Sequence, residues 1–81
     1  MNEKKNLTIE ETFALAVQNH KKKNLKVAEN LYKKILKTNP NSAGVHNNLG
    51  MMYKESEDYK KAIDYYEKAI QIESNYEQAH N

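Results

Sequence analysis

The chain of 81 residues has no cysteine, and all 13 of its basic residues are lysine, so it has no arginine either. The first absence excludes disulfide bonds and cysteine-ligated zinc, and it makes the cytoplasm the expected location. The second weakens any interpretation as a nucleic-acid reader, because lysine does not offer the rigid bidentate fork of arginine. Long apolar runs are also absent, so the sequence predicts neither a membrane span nor a secretory signal.

Glycine and proline are scarce as well, with two residues and one residue respectively. Leucine, alanine, lysine, glutamate and tyrosine recur instead at the spacing of helix faces. No segment alternates convincingly between apolar and polar residues, as a strand would. The length allows one small domain, which we predict to be all-α.

The apolar pattern repeats itself after a shift of 34 residues. Tyr32 falls on Tyr66, and the closing segment NYEQAHN (75–81) repeats NSAGVHN (41–47). A fixed period of this size is typical of stacked helical repeats. The chain is therefore divided into a polar lead, unit 1, unit 2 and the start of a third unit, at residues 1–8, 9–42, 43–76 and 77–81.

Each unit is predicted to contain two helices. In unit 1, Thr8 and Glu11 form a capping box for a helix that runs to about Lys22. Asn24 is expected to cap the second helix. Pro40 is expected to end it, because proline has no backbone N–H to donate.

Unit 2 follows the same plan, with a first helix from about Ala43 to Glu55. Asn75 is expected to cap a new helix, with Gln78 three residues later completing a capping box. Short connections make the paired helices antiparallel. The other predicted caps are Ser42, Asp58 and Ser74.

Small residues are predicted where the two helices of a unit cross. Ala16 or Gly50 on the first helix would face Ala28 or Ala62 on the second and let the backbones approach closely. The tyrosines at positions 32 and 66 would fill the wider space beyond. A larger residue at Ala62 should cost roughly 1–3 kcal/mol through overpacking.

Unit 2 closely resembles a tetratricopeptide repeat, and unit 1 resembles a looser copy. The resemblance implies helix pairs stacked as a short right-handed α-solenoid that binds proteins, without enzymatic activity or a cofactor. The glycine usual between the helices is replaced by Lys23 and Glu57, and a left-handed conformation there would cost roughly 1–2 kcal/mol. The matching positions are Leu49, Gly50, Tyr53, Ala62, Tyr66 and Ala69 in unit 2, and Leu15, Ala16, Ala28, Tyr32, Ile35 and Pro40 in unit 1.

The resemblance also implies a groove, lined by the first helices of both units, that holds a peptide or a partner helix. Asn48 is the position where related proteins use an amide to hold a peptide backbone, since an amide both donates and accepts hydrogen bonds. A carboxylate clamp fits less well, because Phe13 and Val17 stand where it needs lysine and asparagine. The expected groove residues are Phe13, Val17, His20, Asn47, Asn48, Met51, Lys54 and Glu55, and Lys21 is a further groove position in the family pattern.

Two other functions stay open at this point. The chain could associate with itself, as a homodimer, through a face of the last helix formed by Ala62, Ile63, Tyr66, Ala69 and Ile70. Unit 1 carries seven lysines against three glutamates, so it could also bind an acidic partner or nucleic acid weakly.

The sequence gives little support for catalysis or for metal binding. The sequence contains no G-x-S-x-G motif, no glycine-rich phosphate loop and no H-E-x-x-H motif. His46 and His80 share one repeat position and could face each other, but two imidazoles are half of a zinc site at best. We expect neither catalysis nor a bound metal.

Overall fold

The fold is taken from a computed structural model that describes residues 7–80, with residues 76–80 described by their backbone alone. Four helices follow one another within that part, and it contains no strand. The prediction of an all-α fold is therefore confirmed. The helices are α1 (Ile9–Lys21), α2 (Leu25–Thr38), α3 (Ala43–Glu55) and α4 (Tyr59–His80).

The capping box predicted for α1 is present. The Thr8 hydroxyl accepts a hydrogen bond from the backbone N–H of Glu11, and the Glu11 carboxylate accepts one from the backbone N–H of Thr8, both at 3.0 Å. Two backbone donors that have no partner inside the helix are satisfied in this way.

Asn24 precedes α2 as predicted, but its side chain does not cap the helix. Its amide Nδ2 instead donates to Oδ1 of Asn19, at 3.2 Å, back on α1. The ψ angle of Asn24 is 69°, outside the extended range in which an N-cap side chain usually reaches forward. Asn24 therefore helps to hold the connection between α1 and α2.

Ser42 and Asp58 act as predicted at the helices of unit 2. The Ser42 hydroxyl accepts from the backbone N–H of Val45 at 3.3 Å. The Asp58 carboxylate accepts from the backbone N–H of Lys61 at 3.4 Å. The N-terminal ends of both helices of unit 2 are thus fixed by local side-chain hydrogen bonds.

The turns between paired helices use left-handed backbone without glycine. Lys23 has a φ of 69° and Glu57 a φ of 64°, at equivalent positions of the two units. In each turn, the next residue donates its N–H to a carbonyl five residues earlier, from Asn24 to Asn19 and from Asp58 to Tyr53. The strain at these positions is the cost of reversing the chain tightly.

Packing follows the order of the helices: α1 lies against α2, α3 against α4, and α2 against α3. The ring of Tyr66 lies close to Gly50, because an added Cβ there would be 2.9 Å from it. The predicted backbone approach between Gly50 and Ala62 stays a prediction. The buried apolar core consists of Ala16, Ala28, Tyr32, Ile35, Val45, Leu49, Met52, Tyr53 and Ala62.

The expected break after unit 2 is not observed, because α4 continues through Ser74 and Asn75 to His80. Neither residue caps a new helix there. Ser74 stands 34 residues after Pro40, and serine or asparagine costs a helix only about 0.5–0.7 kcal/mol whereas proline costs about 3. The assignment of residues 77–81 to a third unit stays a prediction; the Gln78 side chain, Asn81 and residues 1–6 lie outside the described residues.

Candidate protein-binding groove

A cleft of about 410 Å³ lies between α1 and α3, with a tyrosine of α2 among its lining residues. We call it the α1/α3 groove. It is the position at which the first helices of the two units stand side by side. Its lining residues are Val17, His20, Lys21, Lys23, Tyr32, Asn48, Met51 and Glu55.

The apolar part of this groove comes from Val17, Met51 and the ring of Tyr32. Tyr32 is fully buried, and the ring of Phe13 meets it edge-on with the centroids 6.0 Å apart. Met51 is 42% exposed, so its thioether side chain is accessible to a partner. Methionine suits such a surface because it adapts its shape to different apolar ligands.

Asn48 is anchored at the groove by Tyr32. Its amide Nδ2 donates to the Tyr32 hydroxyl at 3.3 Å. Burial raises the pKa of the Tyr32 hydroxyl, although the hydrogen bond from Asn48 lowers it in part, and the group stays protonated. An amide has a second N–H and a carbonyl oxygen, so Asn48 can still donate to and accept from a peptide backbone.

The far end of the groove carries a small cluster of charged side chains. His20 Nε2 on α1 donates to Glu55 Oε1 on α3 at 3.0 Å, and the Lys23 ammonium lies 3.6 Å from the same oxygen. The hydrogen bond from His20 lowers the pKa of Glu55, with further lowering by Lys23. This cluster links the two units at the end of the groove.

The structure brings together Val17, His20, Asn48, Met51 and Glu55 from the predicted set. The other three predicted residues lie elsewhere. Phe13 packs against the core, Asn47 lines a separate cleft beside α4, and Lys54 is exposed on α3.

Sequence reasoning did not include two residues of the lining, Tyr32 and Lys23. Tyr32 is buried in the core, and its hydroxyl reaches Asn48. Lys23 lies in the turn after α1 and has a positive φ. The spacing along one helix cannot reveal such residues, because they enter the groove from another element.

His46 is buried on the other side of α3. Its Nε2 donates to the backbone carbonyl of Pro40 at 2.9 Å, and its ring lies 5.8 Å from the Tyr65 ring. The His80 side chain lies outside the described residues. Among the described residues, no three metal-binding side chains come together.

The predicted self-association face is divided by the fold. Ala62 and Ala69 are buried, whereas Ile63 and Ile70 are exposed and Tyr66 is half-buried against Gly50. Ala62 and Ala69 are therefore not accessible to another molecule, whereas Ile63, Ile70 and the accessible part of Tyr66 are.

A comparison with protein-family models matches residues 43–76 to the tetratricopeptide repeat. Over these residues the chain is similar to the tetratricopeptide repeat family. This repeat comprises α3 and the larger part of α4, and its limits coincide with those of unit 2. Searches of curated proteins and of solved structures gave no match.

Tetratricopeptide repeats are non-catalytic scaffolds that mediate contacts between proteins. The helix pair α1 and α2 precedes the matched repeat and packs on it through α2. In the range 7–80, no helix is both long and apolar enough to cross a membrane.

Proposed function

We propose that the chain is a protein-interaction module whose α1/α3 groove binds an extended or helical segment of a partner protein. The observation that carries this proposal is the combination of an accessible apolar surface at Val17 and Met51 with the anchored amide of Asn48. An apolar side chain of the partner would lie on the first two residues. Its backbone would exchange hydrogen bonds with the amide.

The charged side chains at the end of the α1/α3 groove should also influence which partner segments bind. Glu55 is already paired with His20 and Lys23, while Lys21 lies beside them on the lining with no ion pair among the described residues. A carboxylate on the partner would therefore be attracted to the Lys21 ammonium. We therefore expect bound segments to combine an apolar residue with an acidic one.

The test begins with a library of random peptides displayed on phage and selected against the immobilised chain. Selected peptides are then titrated into the ¹⁵N-labelled protein. We expect amide shifts at Val17, Asn48 and Met51, and at least tenfold weaker binding to Met51→Glu, because a carboxylate would have to be desolvated against the apolar ligand. Peptides that shift only residues on the outer faces of α2 and α4 would contradict the proposal.

Val27 supplies the matched control. It is an apolar residue on α2 that is 47% exposed, close to the 42% of Met51, and it does not line the groove. Val27→Glu should leave peptide affinity unchanged. Equal weakening by both substitutions would point to a general effect of charge and against the α1/α3 groove.

Binding of an acidic partner or nucleic acid to the lysines of unit 1 stays a prediction. Its support is the row of exposed lysines on α2, at positions 26, 33, 34 and 37. An affinity for a random single-stranded DNA that falls steeply with salt would favour this alternative, and no binding at low salt would exclude it.

A further inference from the structure

An apolar stripe runs along the side of α4. It consists of Tyr59, Ile63, Tyr66 and Ile70, which we call the α4 stripe. Three of these side chains are largely accessible, with 58% of Tyr59, 54% of Ile63 and 64% of Ile70 exposed. Their spacing of four, three and four residues is that of the core seam of a coiled coil. The α4 stripe therefore has the pattern of a surface that packs against another helix.

Unit 1 shows what a covering helix does at the equivalent positions. A shift of 34 residues takes the α4 stripe to Leu25, Glu29, Tyr32 and Leu36 of α2. Tyr32 is completely buried and the other three are half-buried, since α3 packs against α2. Within residues 7–75, nothing covers the α4 stripe in the same way. The greater burial in unit 1 is therefore explained by the packing of α3 against α2.

Helix α1 of a second copy is poorly suited to pack on the α4 stripe. The buried apolar residues of α3 include Val45, Leu49 and Met52. Their equivalents on α1 are Glu11, Leu15 and Gln18, of which two are polar. Placing α1 of another copy on α4 would desolvate the Glu11 carboxylate, which is already engaged in the capping box. Head-to-tail stacking of copies is therefore disfavoured.

The α4 stripe of a second copy is a better partner for this surface. We propose that α4 pairs with α4 of a second copy in antiparallel orientation, with Ile63 lying against Tyr66 of the second copy. Lys60 and Glu67 both flank the stripe on the same side and are seven residues apart. An antiparallel pairing brings Lys60 of each copy beside Glu67 of the other. A parallel pairing would set Lys60 level with its own counterpart.

This pairing makes a closed dimer. The same surface is used on both copies, so the contact is two-fold symmetric and does not propagate into a filament. No residue of the α4 stripe lines the α1/α3 groove. Dimerisation and peptide binding can therefore be tested independently.

Sedimentation of the 81-residue chain over a range of concentrations provides the first test. We expect a monomer–dimer equilibrium, and a monomer throughout for Ile63→Lys, since a buried lysine at the centre of the stripe would be unpaired. Val27→Lys, with similar exposure on α2, should dimerise like the parent chain. Circular dichroism confirms that both variants stay helical. A parent chain that is monomeric at millimolar concentration, or a dimer unaffected by Ile63→Lys, would overturn the proposal.

Charge exchange tests the orientation. Lys60→Glu and Glu67→Lys should each weaken the dimer several-fold at low salt, because each creates two like-charge contacts. The double exchange K60E/E67K should restore the parent affinity. Failure of the double variant to recover would overturn the antiparallel arrangement, and so would loss of the dimer in Leu15→Lys, which reports on α1.

A spin label gives a direct distance. The chain has no cysteine, so Ser74→Cys provides a single attachment site at an exposed position. With the two-fold axis midway between Ile63 and Tyr66, helix geometry places the two labels about 30 Å apart in an antiparallel dimer and about 10 Å apart in a parallel one. A separation near the shorter value would overturn the proposal.

Discussion

The hydroxyl of Tyr53 on α3 donates a hydrogen bond to the Glu29 carboxylate on α2 and so joins the two units through a partly buried polar contact. The Lys33 ammonium lies 3.0 Å from the same carboxylate. The Tyr53 ring is stacked on Tyr65 of α4, with centroids 5.5 Å apart, and the Lys61 ammonium lies 5.3 Å from its centroid. One tyrosine thereby connects three helices.

Tyr53→Phe should lower the free energy of unfolding by about 1.5–3 kcal/mol, the usual range for a hydrogen bond to a charged group. Urea unfolding at pH 7 and one protein concentration measures the change. Tyr65→Phe is the control, because the described residues offer its hydroxyl no hydrogen bond, and it should cost less than about 0.5 kcal/mol. Equal losses in the two variants would mean that the Glu29 contact does not stabilise the fold.

The same contact makes stability depend on pH. The hydrogen bond from Tyr53, followed by that from Lys33, lowers the pKa of Glu29 below its ordinary value of 4.5. The folded state therefore binds fewer protons, so the stabilisation is complete above that value and is lost as the pH falls through the lower folded-state pKa. Melting temperatures between about pH 6 and pH 2.5 should fall more steeply for the parent chain than for Glu29→Gln. Parallel curves would contradict this assignment.

The two glycines should respond to alanine in opposite directions. At Gly50 a Cβ would lie 2.9 Å from the Tyr66 ring, so Gly50→Ala should destabilise by about 1–2 kcal/mol after the gain in helix propensity. At Gly44 a Cβ meets nothing within 4 Å, and Gly44→Ala should stabilise by about 0.5–1 kcal/mol. Urea unfolding of both variants provides the measurement, and a stabilising Gly50→Ala would show that the Tyr66 ring moves aside freely.

Glycine should help in the turns between paired helices. Lys23→Gly and Glu57→Gly should each raise the free energy of unfolding by about 0.5–1 kcal/mol, because the positive φ at these positions strains any residue with a Cβ. Lys22→Gly, where φ is −83°, should lower it instead. Thermal melts of the three variants measure the differences, and a loss at both turn positions would show that the turn side chains stabilise the chain more than the strain costs.

The residues that precede α2 and α3 differ in their hydrogen bonds, so replacing each by alanine should change the free energy of unfolding by different amounts. Ser42→Ala should cost about 1 kcal/mol, because its hydroxyl accepts from the backbone of α3. Asn24→Ala should cost less, since it loses only an exposed side-chain contact to Asn19. Chemical denaturation of the two variants tests the distinction. A larger loss for Asn24→Ala would mean that its bond to Asn19 matters more than a cap.

The features that the sequence determined by itself are local. The capping box at Thr8, the caps at Ser42 and Asp58, and the end of α2 before Pro40 each depend on residues within about one turn of each other. Backbone hydrogen bonding and steric restriction act over that distance, so the pattern of residues suffices to predict them.

Tertiary structure decided the features that depend on distance between helices. Which side chains of one helix face another follows from the crossing of the helices, so the anchoring of Asn48 by Tyr32 and the bond from Tyr53 to Glu29 could not be derived from spacing alone. The continuation of α4 beyond Ser74 could not be derived from the local sequence either. Asparagine and serine permit either a cap or a helix interior at a small difference in free energy, and only proline would have made the local choice decisive.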